Sequence, residues 1–395
     1  MTDAEFADAD RETAAEMLGE LLDGWETDSV GGVSEISLWD QVESELEKRF
    51  LHRLETWADE PGTGRSFESG PRVNDRRSGT LRIAGPGGEV VSWAVTLQNT
   101  IKATRPDVVF RRRDGRPVQI AVYLDGYAYH AAPGADRTAD DAAKRARLRA
   151  HGIDVFQINW EDIREWETGH AAAAPAWEPY SNLVKQAVRD EYRRRGGDPD
   201  DLARTVWTNP VRTLLAYLAD PDGAAWRDRA EVALMGLSKV HGGQRTTVAP
   251  GAVPGAVRAA LRGDQLPEPD RTGDRALLRV VDASGQPVTV LVSRAPDTVS
   301  GFTVFDDRPQ SARAEDPDTR KRRWRSWLYW GNLLQFLAAG DGEGAQLAWS
   351  ELDGFDTGIL AAAGGSGVGA RVAAAPIAPK EADDGFGHTL DRTQL

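Results

Sequence analysis

Residues 104–130 read TRPDVVFRRRDGRPVQIAVYLDGYAYH, and the fold class turns on them. Two apolar runs, Arg105–Arg111 and Val118–Asp125, flank RRDGRP, where Asp114–Gly115 favours a tight reversal. An antiparallel hairpin is predicted. Counting through the turn sets Asp107 opposite Tyr123. The two-residue period of a strand then puts Gln119, Ala121, Tyr123 and Asp125 on one face, with Leu124 turned away. Asp125 stands one step along that face from Asp107, at a strand end where Gly126 permits a sharp turn, and His130 follows. A carboxylate inside the apolar fragment PDVVF is costly unless it binds something, is paired or meets solvent. Two carboxylates and an imidazole at a strand terminus form a donor set for a divalent cation that activates water toward a phosphodiester. The plain alternative for Asp107 is a strand-edge or turn carboxylate.

Working outward, SLWDQVESELEKRFLHRLETWAD predicts a helix capped by Ser37 or Asp40, with Val42, Leu46, Phe50, Leu54 and Trp57 as its apolar stripe. The following segment, ADEPGTGRSFESGPRVNDRRSG, reads as a loop. TLRIAG and VVSWAVTL flank GPGGE as a hairpin. Downstream lie a helix from about Thr138 to Ala150, stopped by Gly152, the strand VFQINW, a helix at EDIREWE and another at NLVKQAVRDEYRRR. Helices and hairpins around one sheet make an α/β layer domain at 34–195. An acidic helical extension at 1–33 precedes it, and Gly196–Asp200 opens a linker at 196–206. An accessory α+β domain is expected at 207–360. It holds short helices at Pro210–Leu218 and Asp228–Val240, a hairpin of Ala276–Val281 with Val288–Val292, a strand Phe302–Phe305 and a long helix from about Pro317 to Leu337. Residues 361–395 read as a low-complexity tail.

Of 395 residues, 40% are hydrophobic and 28% charged, the profile of a globular chain of two or three domains. Cysteine is absent, which excludes disulfides, thiolate nucleophiles and cysteine-held metals. The acidic N-terminus and the lack of a long apolar run argue for a cytoplasmic protein with no membrane partner. No GxxxxGK[ST] motif occurs, so no ATP binding by this chain is expected. A net charge of -14 disfavours broad cationic coating of nucleic acid, but a local basic face or a bridging divalent metal still permits DNA binding.

From Thr104 to Ile163 the chain resembles the restriction-endonuclease-like PD-(D/E)xK nucleases, closest to the very-short-patch-repair type. Pro106–Asp107 matches the PD half-motif, and YLDGYAYH matches the second strand of that branch. DAAKRARLRAHGIDVFQINWEDI resembles the following helix and strand through Asp141, Lys144, Leu148 and Gly152, and EKRFLHRL resembles the first helix. The resemblance implies a central mixed sheet flanked by helices and a Mg²⁺- or Mn²⁺-dependent DNA endonuclease of repair or phage defence. It implies metal ligation by Asp107 and the Leu124 carbonyl, acid/base work by His130, Asp125 in the place of a first catalytic histidine, where it orients His130 or binds a second ion, and a catalytic glutamate from the first helix, Glu47 best and Glu45 second. Tyr123-Leu124-Asp125 stands where the usual acid-x-lysine would fall.

Lys144 and Arg145 belong to a charge run that is either a solvated helix face or a DNA-backbone contact. Tyr127 and Tyr129 are either core or base-stacking residues. Arg320, Arg322 and Arg323 open RKRRWRSWLYWGNLLQFL, a phosphate contact or a solvated first turn. That segment is similar to a C-terminal motif of bacterial helicase-like proteins, which implies a separate helicase or defence-system subunit as partner. The alternatives to a nuclease are a catalytically silent DNA-binding or scaffold subunit and an unrelated structural protein.

Overall fold

The computed structural model describes residues 45–352 apart from 74–75, 86, 115–117, 135, 170–180, 241–242, 295–296 and 338–345. The expected N-terminal helix, the caps at Ser37 and Asp40 and the tail at 361–395 lie outside the described residues.

Helix α1 (Glu45–Ala58) leads into a six-stranded mixed sheet, β1 (Arg65–Val73), β2 (Arg76–Ala84), β3 (Val90–Leu97), β4 (Val108–Arg112), β5 (Gln119–Asp125) and β6 (Asp154–Asn159), lying in that order. All neighbours are antiparallel except β5 and β6. The β4–β5 hairpin has the expected register: Val108 faces Val122, Arg111 faces Gln119, and the Asp107 N–H donates to the Val122 carbonyl at 3.1 Å. Alternation divides the faces. Val108, Phe110, Ile120, Val122 and Leu124 join the main core with Leu46, Phe50 and Leu54 of α1. Val109 and Ala121 pack with Leu148 and Val155 on the other face, where Tyr123 also rests.

The parallel step from β5 to β6 needs a crossover. It is made by one helical turn, α2 (Tyr127–His130), and by α3 (Thr138–Ala150), after which Gly152 turns the chain with a positive φ of 73°. RSFESGPRV lacks an alternating apolar pattern, yet the loop expected there is strand β1. It is an edge strand on which few side chains meet the core, and pairing along β2 orders it.

Beyond α4 (Trp160–Thr168) and α5 (Asn182–Arg194) come α6 (Asp201–Thr205), α7 (Pro210–Ala219) and α8 (Gly223–Val240). A second sheet follows: β7 (Gln244–Val248), then α9 (Val253–Arg262), β8 (Arg275–Val281), β9 (Pro287–Arg294), β10 (Asp297–Phe305), α10 (Pro309–Ala314), α11 (Pro317–Leu334) and β11 (Gln346–Ala348). Its order is β11-β10-β9-β8-β7, with β10 and β11 parallel. The sequence reading missed β7, α9 and β11. The molecule is an α/β protein of two mixed sheets, each flanked by helices.

The linker expected at 196–206 contains α6, and the core runs across it. One hydrophobic cluster takes in Leu46, Phe156, Leu214, Val290, Trp330 and Leu337. The two parts are also joined along β6, whose outer edge meets no strand among the described residues. The Asn332 side chain takes the Gln157 N–H and carbonyl at 2.8 and 2.9 Å, and Gln335 takes those of Val155 at 2.7 and 3.0 Å. Two side-chain amides thus replace the missing strand, as buried backbone polar groups require. No helix among the described residues is long and apolar enough to cross a membrane.

Candidate active site

The site forms where β4 begins and β5 ends. The Leu124 N–H donates to Asp107 Oδ2 at 2.7 Å. An extended residue directs its N–H and C=O to the same neighbour, so the Leu124 carbonyl also leaves β5 toward the Asp107 side. The Asp107 carbonyl accepts from the Gln98 N–H at 2.8 Å, and Gln98 Nε2 donates to Glu47 Oε2 at 2.8 Å. Gln98 makes both bonds from a left-handed backbone, φ 44°, and Lys102 and Ala103 in the same loop also have positive φ. Three non-glycine residues in that region within six positions mark a strained loop, held by its surroundings. Burial pushes the Asp107 carboxyl up to about 8; Glu47 and Asp125 add to the shift, against the Leu124 N–H and His130.

Gly126, extended at φ -95°, lets the chain leave β5 and curl at once into α2. The Tyr129 and His130 N–H groups both return to the Gly126 carbonyl, at 3.1 and 3.2 Å, which carries the imidazole back over the strand end. Helix α3 fixes the rest, because Asp141 and Arg145 sit four residues apart on one face. Asp141 Oδ2 meets His130 Nδ1 at 2.6 Å, and Arg145 Nη2 donates to Asp125 Oδ2 at 2.6 Å. The other imidazole nitrogen, Nε2, lies 3.8 Å from Asp125 Oδ1. Burial pushes Asp125 up, against the pull of Arg145 and His130. Burial opposes charge on His130, but the Asp141 hydrogen bond and the Asp125 carboxylate raise its pKa above the ordinary histidine value. Burial would raise Asp141 too, yet His130, Arg145 and Lys144 hold it below the usual carboxylate range.

Asp125, His130 and Asp141 offer ligand atoms that all lie within 4.8 Å of one another, a grouping able to hold a metal ion. Two of its donors are already engaged, since Asp141 Oδ2 holds His130 and Asp125 Oδ2 holds Arg145. Asp107 presents a different fit. Its carboxyl is desolvated in an anionic setting that a cation would relieve, beside a carbonyl that is a hard oxygen donor.

Asp107, Leu124, Asp125, His130 and Glu47 therefore lie around one end of the sheet. The expected DNA contacts fare differently. Arg145 is buried in its ion pair, between the Tyr123 and Trp327 rings. Arg320, expected at the surface, is 1% exposed and holds the loop after His130, donating to the Ala131 and Asp306 carbonyls at 3.2 and 2.9 Å and to Asp136 at 2.8 Å. Both guanidiniums are withdrawn because carboxylates from neighbouring elements meet them in the interior. Arg323 pairs with Glu315 at 2.8 Å, and Arg322 is exposed. Lys144 pairs with Asp140 at 2.5 Å. Tyr127 stacks edge-on against Trp324, with ring centres 5.5 Å apart, while Tyr129 is 73% exposed beside the site.

Two site residues carried no assigned role in the sequence reading. Asp141 was visible only as an acid in the helix pattern; its spacing of four from Arg145 was the available signal. Gln98 gave none, because its part depends on a backbone conformation that glutamine seldom adopts. No protein-family model, curated protein or solved structure matches the chain.

Proposed function

We propose that this chain hydrolyses DNA phosphodiester bonds at the sheet-end cluster with the help of Mg²⁺ or Mn²⁺. The observation that carries the proposal is the convergence of Asp107, Asp125, Glu47 and a His130 braced by Asp141 on one strand terminus. Asp107, the Leu124 carbonyl and Asp125 would hold the cation. When bound, it supplies positive charge for phosphate oxygens and makes water easier to deprotonate. The remaining chemistry belongs to the protein. Asp141 fixes the ring of His130 through Nδ1, leaving Nε2 to take or give a proton beside the reacting phosphate. Gln98 holds Glu47 toward the same centre, where its carboxylate orients the attacking water. DNA as substrate rests on the resemblance over residues 104–163, and a helicase or defence-system subunit as companion rests on the similarity at Arg320.

One observation favours the silent-subunit reading. The buried Arg145 already neutralises Asp125 without a cation. The two readings separate when the purified protein is incubated with linear, nicked and mismatched duplexes and Mg²⁺ or Mn²⁺. Metal-dependent cutting that disappears in Asp107→Asn supports hydrolysis. No cutting with either metal, together with no Mn²⁺ uptake, supports the silent subunit.

A further inference from the structure

Helix α11 packs with the second sheet, yet one face of it lies against the crossover that carries His130. Arg320, Trp324, Trp327 and Leu328 recur at the spacing that sets residues on one side of a helix. The apolar three join Phe305, Ala131 and Ala142 in one buried cluster, and Tyr127 packs against it. Trp324 meets the Tyr127 ring edge-on, and the Trp327 ring lies 5.7 Å from the guanidinium of Arg145, the partner of Asp125.

Arg320 is the charged member of that face. Its fork bridges the two parts of the molecule. On the side of the second sheet it donates to the Asp306 carbonyl, lies over the Phe305 ring at 4.7 Å and has Glu315 at 3.8 Å. On the side of the site, Nε donates to the Ala131 carbonyl and Nη2 to Asp136 Oδ2.

The segment that Arg320 grips adds a second, independent observation. Helix α2 is a single turn, and one turn is marginal without outside support. The His130 carbonyl accepts from the Arg137 N–H at 2.8 Å. Asp136, which meets Arg320 through Oδ2, accepts the Thr138 N–H through Oδ1 at 2.9 Å. Thr138 opens α3, which three residues on carries Asp141, the carboxylate that meets His130 Nδ1. Arg320 thus touches the backbone next to His130 and, through Asp136, the start of the helix that braces its ring.

We infer that Arg320 is a positioning residue for His130, so that the second sheet completes the site through α11. The inference rests on the proposed hydrolysis for what the held ring does, but not for whether it is held.

The test uses the full chain with ¹⁵N-labelled histidine, the His130 ring signals being those lost in His130→Ala. Wild type is compared with two variants. Arg320→Lys keeps the charge but not the fork. Asp136→Asn keeps an oxygen that accepts from Thr138 and puts a donor where Arg320 needs an acceptor. Circular dichroism and melting set a temperature at which each protein is folded, and Asp136→Asn carries the comparison if Arg320→Lys does not fold. In wild type the His130 Nδ1 proton should be visible and slow to exchange with water, and in both variants it should be lost to exchange. Single-turnover cleavage should slow by about 10–100-fold, with KM and Mn²⁺ uptake little changed, as when the support of a functional side chain is removed. A wild-type Nδ1 proton that already exchanges freely overturns the inference. So do variants that melt lower but keep the protected proton and the wild-type rate, which would leave Arg320 a packing residue only. A loss carried by KM, with the proton still protected, would put the effect on substrate binding and overturn positioning as well. Loss of protection in a protein that never cuts upholds the positioning and sinks hydrolysis.

Discussion

Asp107 and Asp141 flank one site, yet their surroundings push them in opposite directions. Asp107 is driven up to about 8 by burial and by Glu47, with only the Leu124 N–H and His130 among the main opposing influences. Asp141 is held low, because an imidazole, a guanidinium and an ammonium all favour its charge. Carboxylates driven apart in this way carry different tasks. The Asp107 flank gathers Glu47 and Asp125 around a desolvated carboxyl, with Arg105 donating to the Gln98 side chain, and suits a cation. The Asp141 flank has its charge supplied by the protein and suits the handling of a proton through His130.

The largest expected effect comes from Asp107→Asn, which should abolish metal-dependent cleavage while circular dichroism shows the fold retained. Residual cutting at the wild-type rate would remove the distinction between the flanks. His130→Ala should lower the single-turnover rate by on the order of 10²–10⁴-fold, with Mn²⁺ uptake largely intact. Asp141→Asn acts one step further back, since it frees the ring without deleting it. A loss of about 10–100-fold is expected, as for other partners that orient a functional histidine. Equal losses in the two histidine-side variants would mean that Asp141 does more than orient.

The smallest effect is on stability against pH. The folded chain keeps the Asp107 proton up to about pH 8, whereas the unfolded chain releases it near the ordinary 3.8. Between those values the unfolded state binds fewer protons, so stability falls as pH rises and levels off above about 8. Urea titrations at pH 5, 6.5 and 8 should show this fall, and Asp107→Asn should make it shallower. It will not vanish, because burial also pushes Glu55 and Glu351 up to about 7. Millimolar Mn²⁺ at pH 8 should recover stability in wild type but not in the variant.

The sequence made the centre of the molecule legible because its information is local. Counting through RRDGRP gives the β4–β5 register that the strands adopt, and helical spacing with Gly152 bounds α3, so Asp107, Asp125 and His130 could be set at one end of the sheet from sequence. Glu47 came through resemblance and is tied to the same strand end through Gln98. What was hidden depends on long-range pairing. β1 has no apolar alternation and is ordered by β2. Nothing local announces that Asn332 and Gln335 will close the edge of β6. Arg145 and Arg320 read as surface cations because their acidic partners, Asp125 and Asp136, come from other elements and meet them in the interior.

Mn²⁺ binding followed by isothermal titration calorimetry on wild type, Asp107→Asn and His130→Ala separates the two flanks most directly. The expected result is binding by wild type and His130→Ala, strengthening from pH 6 to 8 as Asp107 ionises, and none by Asp107→Asn. Binding that survives in Asp107→Asn and disappears in His130→Ala would place the cation among Asp125, His130 and Asp141, and would contradict the assignment of the cation to Asp107.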